Sequence, residues 1–276
     1  MKRVVDAAPQ QPDVDPPASP EPALDIRDLT CTFSGKHGAV TAVDDVSVRV
    51  ATGEFVSLVG PSGCGKSTML KLAAGLVAPT VGDISLLGEP VRGPQHRIGF
   101  VFQSAALLEW RSARRNILIQ AEIRGMDKRR AAERCDELMA TTGLTGFEEA
   151  YPHQLSGGMQ QRVALCRALL HEPPVLLMDE PFGALDALTR EQMNVELHRI
   201  WRVTGTTIVL VTHSISEAVY LSNRVLVMSP RPGRIVTELD VDLPEERDYA
   251  TTLADPTFAT LTAEIRDLLG ASASHE

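Results

Sequence analysis

The 276-residue sequence contains no stretch that approaches about 18 consecutive apolar residues, so we expect no membrane-spanning helix. Lys2 and Arg3 are not followed by an apolar segment, so we expect no secretory signal either. Aromatic residues make up only 4% of the chain, yet 43% of the residues are hydrophobic and 23% are charged. That balance predicts a globular protein with enough apolar material to form a core.

Cysteine pairs and blocks of basic residues are also missing. The four cysteines, Cys31, Cys64, Cys135 and Cys166, are widely separated, and no CxxC pair occurs. We therefore expect reduced thiols in a cytosolic protein rather than a disulfide framework or a zinc site. The formal net charge is −9 and no run of Lys or Arg stands out, which predicts that the chain has no nucleic-acid partner.

Residues 1–23 differ from the rest of the chain in composition. They contain six prolines and several acidic residues but no aromatic residue. Such a segment cannot bury enough apolar surface to offset the entropy that ordering would cost. We therefore predict a disordered, proline-rich tail over residues 1–23.

A phosphate-binding motif follows the apolar run of residues 55–59, which predicts a buried strand. The spacing Gly60-x4-Gly65-Lys66-Ser67 is the P-loop pattern, in which glycines let successive backbone amides converge on an anion. The helix predicted after the loop adds the positive end of its dipole. Lys66 is long enough to reach the β- and γ-phosphates, and the Ser67 hydroxyl is suited to Mg²⁺. The predicted nucleotide-binding residues of this motif are Gly60, Pro61, Ser62, Gly63, Cys64, Gly65, Lys66, Ser67 and Thr68.

Two carboxylates and a histidine follow two further apolar runs. The run that starts at Val175 ends in Asp179 and Glu180, and the run 207–212 ends at His213. Asp179 fits the Mg²⁺-binding position on a strand beside a P-loop, and Glu180 is then placed to act as general base toward a water. Two solvated acids are the alternative, but charges directly after a buried run favour a metal and a water. A histidine at the carboxyl end of a core strand is likewise favoured as functional.

A second helix start carries exposed backbone amides. Ser156 is a predicted N-cap, and Gly157 and Gly158 follow it at the first turn of a helix that runs through Leu170. Alone, this pattern indicates only a helix start. Its place between a P-loop and the Asp-Glu strand favours a second anion-binding helix terminus.

The spacing of these motifs predicts an α/β architecture with an insertion. Short alternating strands between Leu24 and Val50 predict a small antiparallel sheet before the P-loop. Phe33 in that region is predicted either to stack on an adenine ring or to pack within the sheet. More than a hundred residues separate Ser67 from Asp179, so a helical subdomain is predicted between Gln103 and about Leu155.

Together these motifs resemble those of the ATP-binding subunits of ABC transporters. The resemblance runs over about residues 24–240 and adds Gln103 as the Q-loop, Asp186 as the D-loop and His213 as the switch histidine. It implies a P-loop NTPase, RecA-like core with an antiparallel β subdomain and a helical subdomain inserted at about 104–160. It also implies ATP and Mg²⁺ as ligands, with Gln103 near the metal. Two chains would sandwich two ATP molecules, and Ser156, Gly157 and Gly158 of one chain would complete the site of the other. Residues 241–276 would form a C-terminal extension with one amphipathic helix.

Four segments resemble the nitrate/sulfonate/taurine branch of importers more closely, although Glu109 stands where that branch usually has proline. This resemblance implies an integral-membrane permease as partner, a solute-binding protein as indirect partner and a place at the cytoplasmic face of the membrane. A soluble ABC ATPase that acts on nucleic acid or ribosomes, or a regulatory nucleotide switch, is the alternative. The single P-loop, the short insertion and the absence of basic blocks disfavour that alternative. The four segments are 102–110, 179–186, 229–234 and 255–258.

The segment just after Gln103 is predicted to dock the permease. Ala105 to Leu108 and Trp110 form an apolar run directly beyond the predicted hinge. If exposed, such a run marks an interaction surface, and Trp110 is the residue type enriched at binding hot spots. Packing inside the helical subdomain is the competing prediction for Leu107 and Leu108.

Overall fold

Two β-sheets organise the residues that the computed structural model describes, which are 21–35, 38–183 and 185–273. Four strands form an antiparallel sheet in the order β2-β1-β4-β5, and six form a second sheet in the order β10-β9-β3-β8-β7-β6. The strands are β1 (Leu24–Gly35), β2 (Gly38–Val50), β3 (Phe55–Val59), β4 (Val81–Leu86), β5 (Glu89–Pro90), β6 (Ile98–Val101), β7 (Val175–Asp179), β8 (Thr207–Val211), β9 (Arg224–Met228) and β10 (Ile235–Asp240).

Eight α-helices lie among these strands in the described part of the chain. They are α1 (Lys66–Ala73), α2 (Ala113–Arg124), α3 (Lys128–Thr141), α4 (Gly157–Leu169), α5 (Ala187–Thr204), α6 (Ile215–Leu221), α7 (Tyr249–Leu253) and α8 (Pro256–Ala273). Among the described residues, no helix is both long enough and apolar enough to cross a membrane.

The second sheet is parallel except for β10, which pairs antiparallel with β9. Every residue of β3, β7 and β8 is buried, because layers cover both faces of this sheet. The parallel pairing also brings the carboxyl ends of β3, β7 and β8 to the same edge. The P-loop, the Asp-Glu pair and His213 therefore start from neighbouring positions.

Alternation along β3 connects the two halves of the core. Val56 and Leu58 pack into an apolar cluster that includes the antiparallel sheet and α1, whereas Phe55 and Val59 pack among the helices on the other face. The Phe55 ring meets the Trp201 ring of α5 edge-on at a centroid distance of 5.8 Å. The central strand is therefore anchored on both sides.

Helices α2 and α3 occupy the insertion predicted after Gln103. Ser112 caps α2, Gly125 ends it in the left-handed conformation, and Asp127 caps α3. The buried side chain of Asn116 accepts a hydrogen bond from the amide of Leu108 and donates to its carbonyl. The loop that precedes α2 is thereby pinned to the helix.

Buried residues occur near both ends of the described part of the chain. Residues 1–20 of the predicted tail lie outside the described residues, but Ala23 is fully buried and accepts a hydrogen bond from the amide of Leu87. The packed chain therefore begins before the predicted boundary at Leu24. In the predicted C-terminal extension, Phe258 and Ile265 of α8 are buried. The shorter helix α7 precedes α8, where a single helix was predicted.

Candidate functional site

The P-loop joins β3 to α1 through a turn that requires glycine. Gly65 has a φ of 109°, and a Cβ there would lie 2.5 Å from the carbonyl oxygen of Ala42. The Lys66 side chain is buried, and its ammonium donates to the carbonyls of Gly60 and Pro61 at 2.8 Å each. Lys66 thus folds back along the loop, and its positive charge lies inside the curve that the glycines make.

Ser67 and Asp179 bring the P-loop into contact with β7. The Ser67 hydroxyl donates to Oδ1 of Asp179 at 2.8 Å, although the two residues are 112 positions apart. Burial raises the pKa of Asp179, and the neighbouring charge of Glu180 acts in the same direction, while the Ser67 hydrogen bond opposes them. A buried carboxylate beside a hydroxyl presents the hard oxygen ligands that Mg²⁺ prefers, and the bound cation would relieve the cost of keeping Asp179 charged. The residues present therefore fit this metal.

Glu180 is the meeting point of Gln103 and His213. The Gln103 side-chain amide donates to Oε2 of Glu180 at 3.2 Å, and Nδ1 of His213 lies 3.3 Å from the same oxygen. Glu180 has a φ of 46°, which is uncommon for a residue with a Cβ and is typical of strain held at functional sites. The three side chains come from the ends of β6, β7 and β8.

Gln103 and Glu180 border a cavity of about 520 Å³, which is large enough for a small-molecule ligand. Phe33 lies at its rim and is 45% exposed, which favours the adenine-stacking alternative over packing within the sheet. Of the predicted P-loop residues, Ser62, Gly63, Gly65, Lys66, Ser67 and Thr68 line the cavity, together with Gln103 and Glu180.

Several other predicted site residues are not among those that line the cavity. Cys64 is buried and does not line the cavity; its sulfur lies 3.8 Å from the Lys66 ammonium, and burial raises the pKa of its thiol. Gly60 and Pro61 contribute the carbonyls that hold Lys66. Asp179 and His213 contact the lining through Ser67 and Glu180, respectively.

The Ser156 segment does not reach the cavity of its own chain. Ser156 caps α4 by accepting a hydrogen bond from the amide of Met159 at 3.3 Å, as predicted. Ser156 and Gly157 are exposed, and a Cβ on Gly158 would meet the side chain of Leu185. This segment therefore faces the surface beside the predicted D-loop of the same chain.

The structure describes Asp186, the last residue of the predicted D-loop. Asp186 caps α5 and accepts a hydrogen bond from the amide of Thr189 at 3.0 Å. Hydrogen bonding by the Thr189 side chain, and then by this amide, lowers the pKa of Asp186. Ala184 of the same loop lies outside the described residues.

Sequence reasoning did not single out three residues that contribute to the site. Gln161 and Arg167 of α4 donate hydrogen bonds to backbone carbonyls at and after Gln103, and Arg231 lines the cavity. Their partners are 58 or more positions away, so no local pattern signals them. Arg231 does lie inside segment 229–234, where the resemblance gave a signal without a role.

Known proteins of one family resemble this chain in sequence. The ABC transporter family model matches residues 43–183. The chain is 44% identical to the taurine import ATP-binding protein TauB of Jannaschia sp. over 89% of this chain and 93% of that protein. It is 43% identical to the nitrate import ATP-binding protein NrtD of Synechocystis sp. over 89% of this chain and 94% of that protein.

A solved ATP-binding cassette, captured as a dimer in a post-hydrolysis state with ADP and Pi, matches the structure. Its TM-score is 0.72 at 32% identity, and the match covers 80% of this chain and all of that one. The predicted P-loop, RecA-like fold with its helical insertion is thereby confirmed. The chain belongs to the ABC transporter family, in which it is an ATP-binding subunit that hydrolyses ATP.

Proposed function

We propose that this ATPase is the energising subunit of an importer for a small solute of the nitrate, sulfonate or taurine type. The observation that carries the proposal is the convergence of the P-loop, Gln103 and Glu180 on one cavity, with His213 in contact with Glu180 behind its wall. Two relatives are named as taurine and nitrate import proteins, and each aligns with 89% of this chain. Their names support the solute class.

In the proposed mechanism the P-loop amides and Lys66 bind the phosphates of ATP. Ser67, Asp179 and Gln103 would hold Mg²⁺, and when bound the cation would supply charge neutralisation at the phosphates. Glu180 accepts a proton from the attacking water, because its carboxylate lies at the cavity wall. His213 and Gln103 both contact Oε2 of Glu180 and so fix the orientation of that carboxylate. Phe33 at the rim stacks on the adenine.

One protein partner in this proposal is another copy of the chain. Ser156, Gly157 and Gly158 are largely exposed and lie outside their own cavity, so their helix start serves an ATP that is bound by the other copy. Asp186 borders the same surface. Two chains then enclose two ATP molecules, and the dimeric form of the related solved cassette supports this arrangement.

The other direct protein partner is an integral-membrane permease, which holds the subunit at the cytoplasmic face of the membrane. Trp110 is 73% exposed, whereas Leu107 packs on the core. Next to Trp110, Arg111 forms an ion pair with Glu122, which lines a mainly apolar cavity between α2 and α3. A partner segment with an apolar side chain fits this surface. A solute-binding protein on the far side of the permease would act on this chain only indirectly.

Reconstitution tests the proposal. The chain is co-purified from membranes with its integral subunit, and the complex is placed in vesicles with the solute-binding protein. Solute-loaded binding protein should stimulate ATP hydrolysis, and taurine, alkanesulfonates and nitrate should differ in that stimulation. The same complex with Lys66→Ala should show neither hydrolysis nor uptake. Recovery of the chain with ribosomes or nucleic acid, and not with a membrane subunit, would contradict the proposal.

A further inference from the structure

The turn of residues 229–234 is held rigidly against the P-loop. The amide of Ser229 donates to the carbonyl of Arg234 at 2.9 Å, and the Ser229 hydroxyl accepts from the amide of Arg234 at 3.0 Å. Gly233 exchanges backbone hydrogen bonds with β2, donating to Ala42 and accepting from Asp44, both at 3.0 Å. The turn is thus closed on itself and fixed to the antiparallel sheet.

Gly233 allows this turn to approach the P-loop closely. A Cβ on Gly233 would overlap the backbone carbonyl of Cys64, so only glycine fits there. This close contact brings Arg231 of the same turn over Gly63. The Arg231 guanidinium donates to the Gly63 carbonyl from Nε at 3.2 Å and from Nη2 at 3.0 Å.

Arg231 adds a second positive charge to the wall of the nucleotide cavity. Among the described residues that line the cavity, only Lys66 and Arg231 are cations. The Lys66 ammonium is already bonded to two backbone carbonyls, whereas Arg231 is exposed. No described carboxylate lies within ion-pair distance of Arg231, and Nη1 makes no hydrogen bond within the described part of the chain. Arg234 in the same turn differs, because it is paired with Asp44.

We propose that Arg231 is a phosphate-binding residue of the nucleotide site, which contacts the terminal phosphates of ATP. This inference rests on the proposed assignment of the cavity as that site. A guanidinium binds the charged oxygens of a phosphate more strongly than it binds a neutral carbonyl oxygen such as that of Gly63. Its planar fork also allows two parallel hydrogen bonds to a phosphate. Arg231 contacts Gly63 of the P-loop, whereas Phe33 marks the rim where we expect the base. Its contribution therefore depends on the phosphates and not on the base.

Competition binding tests this role with two probes, ATP and inorganic triphosphate. Each displaces a fluorescent ATP analogue from the full-length chain in Mg²⁺ buffer. Arg231→Ala should weaken both probes by about tenfold, the size expected for loss of an exposed charge-assisted hydrogen bond. Arg231→Lys should retain part of the affinity. Arg234→Ala, which removes the neighbouring arginine of the same turn, should bind both probes as the wild type does.

Arg231→Gln separates phosphate binding from support of the loop. Glutamine can still donate to the Gly63 carbonyl but carries no charge, so we expect it to bind triphosphate as weakly as the alanine variant. Its melting temperature without nucleotide should equal that of the wild type. Wild-type affinity in either the glutamine or the alanine variant would overturn the proposal.

Two further comparisons keep this inference distinct from the proposed function. Phe33→Ala should weaken ATP but leave inorganic triphosphate unchanged, the opposite pattern to an effect on the phosphates. If Lys66→Ala and the wild type bind ATP equally, the cavity is not the nucleotide site and the proposed function fails. If Lys66→Ala loses affinity while Arg231→Ala does not, only the role of Arg231 fails.

Discussion

The side-chain amide of Gln161 donates a hydrogen bond to the backbone carbonyl of Gln103, with a donor–acceptor distance of 2.6 Å. Gln161 lies on α4, the helix that Ser156 caps, while Gln103 contacts Glu180 through its own side chain. Further along α4, Arg167 donates to the carbonyls of Ala105 and Ala106 at 2.7 and 2.9 Å. The segment after Gln103 is therefore bonded to the helix that carries the proposed trans-acting residues.

Removal of this hydrogen bond should slow hydrolysis without weakening ATP binding. In Gln161→Leu the volume is nearly kept, but the Gln103 carbonyl loses its donor, at a cost of about 1–3 kcal/mol for the ordered loop. We expect ATP hydrolysis by the isolated chain to fall on the order of tenfold with an unchanged Kd for ATP. Gln160→Leu is the control, because Gln160 donates to Pro152 and Leu155 and not to the loop. Hydrolysis at the wild-type rate in Gln161→Leu would show that the bond does not position Gln103.

Substitution of Glu180 should separate ATP binding from hydrolysis. Glu180→Gln is nearly isosteric but cannot accept the proton, so hydrolysis should fall by about 10²–10⁴-fold, or roughly 3–5 kcal/mol of barrier. The variant should accumulate an ATP-bound dimer, visible by size-exclusion chromatography with ATP and Mg²⁺. Glu172→Gln is a suitable control, since Glu172 precedes β7 at the opposite end of the strand. An unaffected rate in Glu180→Gln would assign the base to another residue.

Two inactive variants should restore activity when they are mixed. Lys66→Ala removes the ammonium that we propose to bind phosphate, and Ser156→Arg blocks the helix start that we propose to act on the other copy. A mixed dimer then has one composite site in which both elements are intact. Half of the dimers in an equal mixture are mixed when chains pair at random, and each has one intact site of two. Phosphate release should therefore reach about a quarter of the wild-type rate if one site works alone. A mixture as inactive as its components, with both shown to fold and pair, would contradict the trans arrangement.

Local patterns explain why much of the fold was predictable. Gly65 and Lys66 belong to a motif whose glycines and helix start are encoded in consecutive residues, and Ser156 caps α4 as its side chain requires. Helix α6 was missed because it spans only seven residues, and so short a helix depends on packing rather than on its own pattern. Arg231 and Gln161 were missed for a different reason. Their hydrogen-bond partners are 168 and 58 positions away, and only the folded chain brings them together.

Stability should depend on pH through His198. Burial, together with the charges of Arg247 and Arg202, lowers the pKa of His198 to about 4, whereas an unfolded histidine titrates near about 6.5. Between these values the unfolded chain binds the proton more readily, so the contribution of His198 to stability is complete above about pH 6.5 and is lost as the pH falls toward about 4. The same direction holds for His171, whose pKa burial also lowers to about 4.

His198→Phe should make the folded state less sensitive to acid, because the ring still packs near Trp201 and Tyr220 but no longer binds a proton. Between pH 7 and pH 5 the melting temperature of the wild type should fall more than that of the variant, by on the order of 2–4 °C. This corresponds to about 1 kcal/mol after a discount for solvent screening. Calorimetry at both pH values measures the difference. Parallel pH profiles for the two proteins would exclude His198 as the titrating group.

Trp110 should matter for assembly and not for the basal chemistry. Its side chain is 73% exposed, while its neighbour Leu107 packs on the core, so the competing prediction of internal packing, which was made for Leu107 and Leu108, holds for Leu107. In the isolated chain, Trp110→Ala removes little buried surface, and both the melting temperature and the basal ATPase rate should stay close to wild type.

In reconstituted vesicles the same change should abolish assembly with the permease, or stimulation by solute-loaded binding protein. An aromatic anchor at the centre of an interface is typically worth 2 kcal/mol or more, which is roughly a thirtyfold loss of affinity. Val203→Ala is the control, because Val203 is 76% exposed but lies on α5, away from the segment after Gln103. Since Gln103 contacts the proposed general base, a partner held at Trp110 would respond to the state of the nucleotide. Full stimulation and normal uptake in Trp110→Ala would exclude Trp110 as the docking residue, whereas loss of basal activity would reveal a packing role.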